Sequence, residues 1–202
     1  MKFKFRQPQL YRFLEFCNEE GLEKTILDCG AGGNMPPLAV FLEHGYKTYG
    51  IEISDKQIKR AEAFSKENKV ELNIAKGDMR KLPFENESFN YVYSYNSIFH
   101  MKKEDIKVAV NEIKRVLKPG GICLINFLSI NDEDYEKGEK AGEGEYFRIE
   151  DGEKVLHAYY DINEAEEHFK DMKILFKENR ILERIYEGEK IRQGYIDYII
   201  KK

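Results

Sequence analysis

Hydrophobic and polar positions along the chain follow two alternating patterns, short β-rich runs and longer segments with apolar residues at helical spacing. The helical spacing predicts helices over residues 8–20, 36–43, 55–67 and 103–117. The β-rich runs predict strands over residues 25–28, 47–53, 70–75, 89–94 and 122–128. This alternation indicates βαβ units and therefore an α/β fold built on a mostly parallel sheet.

The C-terminal part of the chain has a different pattern. Residues 129–151 are rich in charged residues and glycine and poor in aliphatic ones, which predicts an insertion or loop. A short helix is expected over 164–169. The runs 172–186 and 191–200 surround a turn at 187–189, and they predict a hairpin that adds an antiparallel pair to the sheet.

Length and charge limit the possible functions. The 202 residues are enough for a single domain over 1–202, with an insertion or cap at about 129–160. A net charge of -4 does not favour nucleic acid, and no window is apolar enough for a membrane span. Three widely spaced cysteines, and an N-terminus without a signal peptide, predict a cytoplasmic protein.

The segment Ile26–Asn34 carries the strongest local signal, an apolar strand followed by a glycine-rich turn. Gly30 and Gly32 have no side chains, so a ligand can lie against the backbone. We also expect the turn to direct amide N–H groups at that ligand. A tight turn that binds nothing is the alternative.

Acidic residues follow the next two predicted strands. Glu52 lies about 20 residues beyond the first glycine, where nucleotide-binding folds place an acid that accepts hydrogen bonds from ribose hydroxyls. Asp78 and Met79 follow the third strand, where a carboxylate can accept from an adenine amine and a side chain can pack on the ring. A solvated loop residue and a turn aspartate are the alternatives.

Together, Asp28-x-Gly30-x-Gly32, Glu52, Asp78 and Lys118-Pro-Gly-Gly121 resemble the class I S-adenosylmethionine-dependent methyltransferase family, of the small-molecule type with methyltransferase domain 11 or 25. The resemblance covers roughly residues 24–128. It implies a doubly wound, Rossmann-like sheet of seven strands in the order 3-2-1-4-5-7-6, with strand 7 antiparallel. It also implies S-adenosyl-L-methionine as cofactor, bound by Asp28, Gly30, Ala31, Gly32, Glu52, Ile53, Asp78, Met79 and Ser94.

One departure concerns the third glycine of the family's turn, where this chain has Gly33-Asn34. Asn tolerates left-handed backbone, so the turn is expected to persist. A nicotinamide dinucleotide is the alternative cofactor, but its G-x-G-x-x-G pattern would need glycine at Met35. A cofactor-binding or interaction protein of the same fold that catalyses nothing is the other alternative.

The methyl acceptor is expected near the residues that follow the fourth strand. Tyr95, Asn96 and His100 are the candidate catalytic residues, and the near-neutral titration of histidine suits His100 as a base. A packing histidine is the alternative. The stretch through Tyr11 and the insertion leave little protein to hold a macromolecule, so a small-molecule acceptor is predicted. Four aromatic residues of the insertion can line its pocket, with ordinary strand packing as the alternative, namely Tyr146, Phe147, Tyr159 and Tyr160.

Overall fold

The computed structural model describes residues 7–150 and 152–202. Its helices are α1 (Pro8–Glu20), α2 (Leu38–Glu43), α3 (Asp55–Asn68), α4 (Lys103–Val116) and a 3₁₀ helix (Glu164–Phe169). Its strands are β1 (Thr25–Cys29), β2 (Lys47–Glu52), β3 (Ile74–Lys76), β4 (Phe89–Ser94), β5 (Leu117–Ser129), β6 (Glu139–Gly142), β7 (Glu145–Glu150), β8 (Glu153–Tyr160), β9 (Lys173–Tyr186) and β10 (Glu189–Lys201).

The main sheet has the strand order β3-β2-β1-β4-β5-β10-β9. The first five of these strands are parallel, and β10 pairs antiparallel with β5 along residues 122–128. Because β10 is also antiparallel to β9, it is the one reversed strand of these seven. The predicted α/β fold class and the order 3-2-1-4-5-7-6 are therefore confirmed, with β9 and β10 as sixth and seventh strands.

Both faces of the sheet are covered by helices, as a buried parallel sheet requires. All six residues of β4 are buried. Successive side chains of a strand point to opposite faces, and here Tyr91 and Tyr93 pack with α1 and α2 while Val92 packs with α4. The two apolar clusters hold the strands in register, so the carboxyl ends of β1, β2, β3 and β4 meet at one edge.

Several predicted boundaries differ from the structure, and the largest shift is in β5, which begins at Leu117 and not at residue 122. The third strand was expected over 70–75, but β3 has only Ile74–Lys76 because Asn73 has left-handed backbone, with φ 53°. The second helix begins at Leu38 and not at Pro36. Ser54 caps the start of α3, since its hydroxyl accepts from the Gln57 amide at 3.4 Å.

The prediction of an insertion or loop over 129–151 missed regular structure. Strands β6, β7 and β8 form an antiparallel unit, and Leu128 and Ser129 of β5 pair with Tyr159 and Tyr160 of β8. The described sheet therefore has ten strands and not seven. These strands lack the alternation of a half-buried strand, since Ile149 is 72% exposed while Glu145 is buried, and their charged composition therefore suggested a loop.

The C-terminal hairpin has the geometry that its sequence predicts. Glu187 and Gly188 connect β9 to β10, and both have positive φ, 51° and 86°. Two left-handed residues in succession match the twist of antiparallel strands. In the part of the chain that the structure describes, no helix is long and apolar enough to cross a membrane.

Candidate functional site

A cavity of about 310 Å³ opens at the carboxyl ends of β1, β2 and β3, and we call it the strand-end cavity. Its volume lies at the lower end of the range for small-ligand sites, about 300–1,000 Å³. Its lining residues are Gly30, Ile51, Glu52, Ile53, Gly77, Asp78, Met79, Arg80, Ser97, His100, Met101, Lys102, Asp105 and Leu156.

Glu52 is the last residue of β2, and its carboxylate is held by two backbone amides. The Gly32 amide donates to Oε2 at 3.1 Å, and the Ser54 amide donates to Oε1 at 2.8 Å. A carboxylate oxygen accepts more than one hydrogen bond, so each oxygen can also accept from a ligand hydroxyl. The side chain is thus fixed at the cavity wall with acceptor capacity to spare.

The glycine-rich turn does not present its amides as the sequence predicted. The amides of Gly30 and Ala31 donate to the Ile51 carbonyl at 2.8 and 3.1 Å, and the Gly33 amide donates to the Gln57 carbonyl. Those N–H groups hold the turn against β2 and α3, because a buried amide must find a partner within the protein. These amides are therefore not available as donors, and the turn can contact a ligand through its van der Waals surface instead.

Gly30 is required by the packing around it. Its φ of 109° lies in the left-handed region that side chains rarely adopt. A Cβ there would lie 2.0 Å from Ser97 Oγ. Ser97, which follows β4, thus brings that segment against the end of β1 at the cavity wall.

Asp78 is already paired. Arg80 donates from Nε and Nη2 to its two carboxylate oxygens, at 3.0 and 2.6 Å, and a further bond runs from the Arg80 amide. These hydrogen bonds hold the pKa of Asp78 below its usual range. Arg80 also lies 3.2 Å from Asp105. An adenine amine at this position would share the carboxylate with the guanidinium.

Asp28 lies behind the cavity and does not line it. Its side chain is buried, and its Oδ2 has no hydrogen-bond partner, and neither has the hydroxyl of nearby Tyr93. Burial raises the pKa of Asp28 to about 8, although the Tyr93 hydroxyl beside it acts in the opposite direction. The carboxyl is therefore mostly protonated at neutral pH.

This burial makes stability depend on pH. The folded chain keeps the Asp28 proton up to about pH 8, whereas an unfolded chain loses it near pH 4. The stabilisation is present below pH 4 and is lost as the pH rises towards 8. We compare the free energy of unfolding of Asp28→Asn with that of wild type in urea titrations at pH 5 and pH 8. We expect the difference, variant minus wild type, to be larger at pH 8 than at pH 5 by at least about 1 kcal/mol. Exposed Asp161→Asn is the control, and an equal difference at both pH values would contradict this prediction.

The other predicted cofactor residues divide between the cavity and the core. Ile53, 60% exposed, and Met79 line the strand-end cavity. Ala31 and Ser94 are buried and do not line it. The predicted set is therefore only partly gathered on one surface.

The candidate catalytic residues also separate. The Tyr95 hydroxyl donates to Gln9 Oε1 at 3.1 Å, and Tyr95 lines a different cavity from the strand-end cavity. Asn96, with φ 54°, exchanges two 2.7 Å hydrogen bonds with Asn126. His100 alone of the three candidates lines the strand-end cavity.

His100 also lines a second cavity of about 240 Å³, which we call the histidine cavity. The ring of His157, from β8, lies 4.9 Å from the ring of His100. Surrounding protein and the neighbouring His157 lower the pKa of His100 to about 4, so its ring is neutral at pH 7. The lining residues are Asn96, Phe99, His100, Leu128, Asp132, Asp134, Arg148, Glu150, His157, Tyr159, Gln193 and Tyr195.

Three residues that shape the site or the turn beside it were not predicted from the sequence, namely Ser97, Arg80 and Asn126. Ser97 was visible only as part of a loop, and its contact with Gly30 depends on tertiary packing. Arg80 could have been found, because it lies two residues after Asp78. Asn126 carried a signal too, since it is a polar residue in the apolar run of β5 and a buried amide side chain needs a partner.

Comparison with known proteins places these features in a family. A methyltransferase domain model matches residues 27–125, about half of the chain. A sterol 24-C-methyltransferase of Pneumocystis carinii is 30% identical over 158 residues, which are 67% of this chain and 41% of the relative. The chain thus spans about two fifths of the length of that curated relative.

Two solved structures share the fold at low identity. A SAM-dependent methyltransferase of Methanosarcina mazei has a TM-score of 0.72 at 21% identity, covering 93% of this chain and 96% of its own. The second is the 1,6-didemethyltoxoflavin-N1-methyltransferase of Burkholderia thailandensis, solved with 1,6-didemethyltoxoflavin and S-adenosylhomocysteine. It has a TM-score of 0.69 at 14% identity, and the match covers 97% of this chain and 77% of that one. With the strand order, Glu52 and the glycine-rich turn, the domain match shows that this chain belongs to the class I S-adenosylmethionine-dependent methyltransferase family.

Proposed function

We propose that this chain transfers a methyl group from S-adenosylmethionine to a small-molecule acceptor by in-line displacement. The observation that carries the proposal is the position of Glu52, a carboxylate held by two amides at the wall of the strand-end cavity. The family match supplies the class of reaction. The histidine cavity, which shares His100 with the strand-end cavity as a lining residue, supplies a place for an acceptor.

The residues of the strand-end cavity fit the donor. Glu52 has spare acceptor capacity for the two ribose hydroxyls. Met79 and Ile53 supply apolar surface for the adenine ring, and Asp78 supplies an acceptor at the same end. At the other end, Gly30 lines the cavity without a side chain. This order along the wall suits a nucleoside at β2 and β3 and an amino acid chain at β1.

Catalysis of this kind depends mainly on position. When bound, the donor supplies an electrophilic methyl carbon, which bonds to the acceptor's lone pair as the carbon–sulfur bond breaks and its electron pair stays on sulfur. The protein's task is to hold the acceptor in line with that carbon and to exclude water. His100 lines both cavities, and its neutral ring can take a proton from the acceptor.

Replacement of His100 tests this role. We expect His100→Ala to lower the turnover of an identified acceptor roughly tenfold, less than the typical 10²–10⁴-fold for a general base, because a pKa of about 4 makes the ring a weak base and His157 lies close enough to take over part of the proton transfer. The dissociation constant of S-adenosylhomocysteine is expected to stay within threefold of wild type, roughly 0.7 kcal/mol. Initial rates with labelled donor measure the first quantity and calorimetry the second. Unchanged turnover would remove His100 from the mechanism.

Ligand binding tests the proposal as a whole. Calorimetric titration with S-adenosylmethionine, S-adenosylhomocysteine and NAD is expected to show binding of the first two and none of NAD. Binding of NAD alone would indicate an oxidoreductase, and binding of none of them would indicate an interaction protein. An acceptor screen with labelled donor then separates an enzyme from a protein that only binds the cofactor.

A further inference from the structure

The histidine cavity is small and partly aromatic. Its volume of about 240 Å³ lies below the range for drug-sized ligands, about 300–1,000 Å³. Phe99, Tyr159 and Tyr195 contribute rings to its wall. Aromatic faces attract cations as well as apolar groups. The cavity therefore suits a compact molecule.

Its charge is negative. The carboxylates of Asp132, Asp134 and Glu150 line the cavity, against one cationic side chain, Arg148. Arg148 forms an ion pair with Asp134, so its positive charge is already balanced. Asp132 accepts only from backbone amides, those of Gly194 and Asp134 at 2.9 Å each. Two carboxylates, Asp132 and Glu150, are thus left without a cationic partner in the cavity wall, and they favour a positively charged ligand.

His157 gives an independent indication of a ligand. The residue is 5% exposed, and among the described residues its Nε2 has no partner with hydrogen-bond geometry, although it lies 3.1 Å from Glu150 Oε1. Its Nδ1 is 3.5 Å from the Tyr159 hydroxyl. Burial lowers the pKa of His157, so the ring is neutral and has a nitrogen that can accept from an N–H group. Buried polar atoms normally have partners, and a bound ligand would supply this one.

From this geometry we propose that the histidine cavity is the acceptor site and that it takes a small polar molecule bearing a protonated nitrogen. The inference rests on the proposed methyl transfer, which requires an acceptor next to the strand-end cavity. The cation lies between Glu150 and the aromatic rings, with His157 and His100 as acceptors for its N–H groups. An apolar lipid such as a sterol would remove water from these carboxylates without replacing their hydrogen bonds. The chain thus differs in acceptor class from the sterol methyltransferase that it resembles.

Three probes of equal size and different charge test the proposal, namely benzylamine, benzyl alcohol and benzoate. Each is titrated at pH 7 into the full chain saturated with S-adenosylhomocysteine, and the histidine ring signals of His100 and His157 are followed by NMR. We expect benzylamine, as its ammonium ion, to bind at least tenfold more tightly than benzyl alcohol, and benzoate to bind most weakly. The signals of both rings are expected to shift.

Glu150→Gln removes one charge and keeps the shape of the side chain. We expect it to reduce the preference for benzylamine to less than threefold. Glu143→Gln, in the exposed turn between β6 and β7, is the matched control and should leave the preference unchanged. Equal affinities for the three probes with S-adenosylhomocysteine bound would overturn the acceptor class and leave the proposed function standing. Failure of S-adenosylhomocysteine to bind would overturn the proposed function itself.

Discussion

Glu52→Ala is expected to weaken S-adenosylhomocysteine binding about a hundredfold. Hydrogen bonds to a charged group contribute about 1.5–3 kcal/mol each, and Glu52 is placed to accept from two ribose hydroxyls. The variant also loses the acceptor for the Gly32 amide and therefore loosens the glycine-rich turn. A loss of about 3 kcal/mol corresponds to a hundredfold change in the dissociation constant, which calorimetry measures directly.

A control separates charge from position. Glu67→Ala removes an exposed glutamate from α3, with the same change in net charge, and should leave the affinity unchanged. Circular dichroism of both variants verifies that the fold is retained. If Glu52→Ala bound S-adenosylhomocysteine within threefold of wild type, the carboxylate would not hold the ribose.

Gly30→Ala is expected to lower the free energy of unfolding by about 3 kcal/mol, a cost that combines backbone strain with overpacking. The residue has a φ of 109°, and the added Cβ would lie 2.0 Å from Ser97 Oγ and 2.4 Å from Ser97 Cβ. Either the turn at the end of β1 or the segment after β4 must move, and both line the strand-end cavity. Urea titration measures the loss, and donor affinity should fall with it.

Two further variants divide this cost into its parts. Gly21→Ala has a φ of 63° and no atom within 4 Å of its Cβ, so it reports backbone strain alone, about 1 kcal/mol. The double variant Gly30→Ala/Ser97→Gly removes the clash and should recover more than half of the loss. Equal losses for Gly30→Ala and Gly21→Ala would show that Ser97 does not crowd the turn.

The central fold could be predicted because its strands are buried on both faces. Residues 89–94 and 122–128 are runs with few polar residues, and glycines or charges mark their ends, so periodicity alone was sufficient. The order of the strands came from family resemblance. The insertion was missed because its short strands are rich in charged residues and do not alternate apolar with polar positions, so local composition did not distinguish them from a loop. The start of the third strand depended on one left-handed residue, Asn73.

Site residues could be predicted from the sequence where they lie at, or shortly after, the carboxyl end of a strand. Glu52 and Met79 line the cavity as expected, because a strand fixes the position of the residue that follows it. The three residues after β4 could not be assigned in this way. Their segment turns at Asn96, which sends Tyr95 towards Gln9 and His100 towards the strand-end cavity. That turn is held by Asn126, some 30 residues further along the chain.

Several expectations from the sequence stay predictions. These are the cytoplasmic location, the absence of nucleic acid and membrane partners, and a single domain over 1–202. The suggested contribution of the N-terminal stretch to the acceptor pocket falls partly on residues 1–6, which lie outside the described residues. The identity of the acceptor is open to the screen proposed above.

The proposed donor site depends most directly on where the sugar of the donor lies. A crystal structure of the chain grown with S-adenosylhomocysteine measures this. We predict both ribose hydroxyls within about 3 Å of the Glu52 carboxylate, with the adenine against Met79. A ribose bound elsewhere, or a strand-end cavity that the protein's own side chains keep filled at saturating ligand, would contradict the proposed donor site.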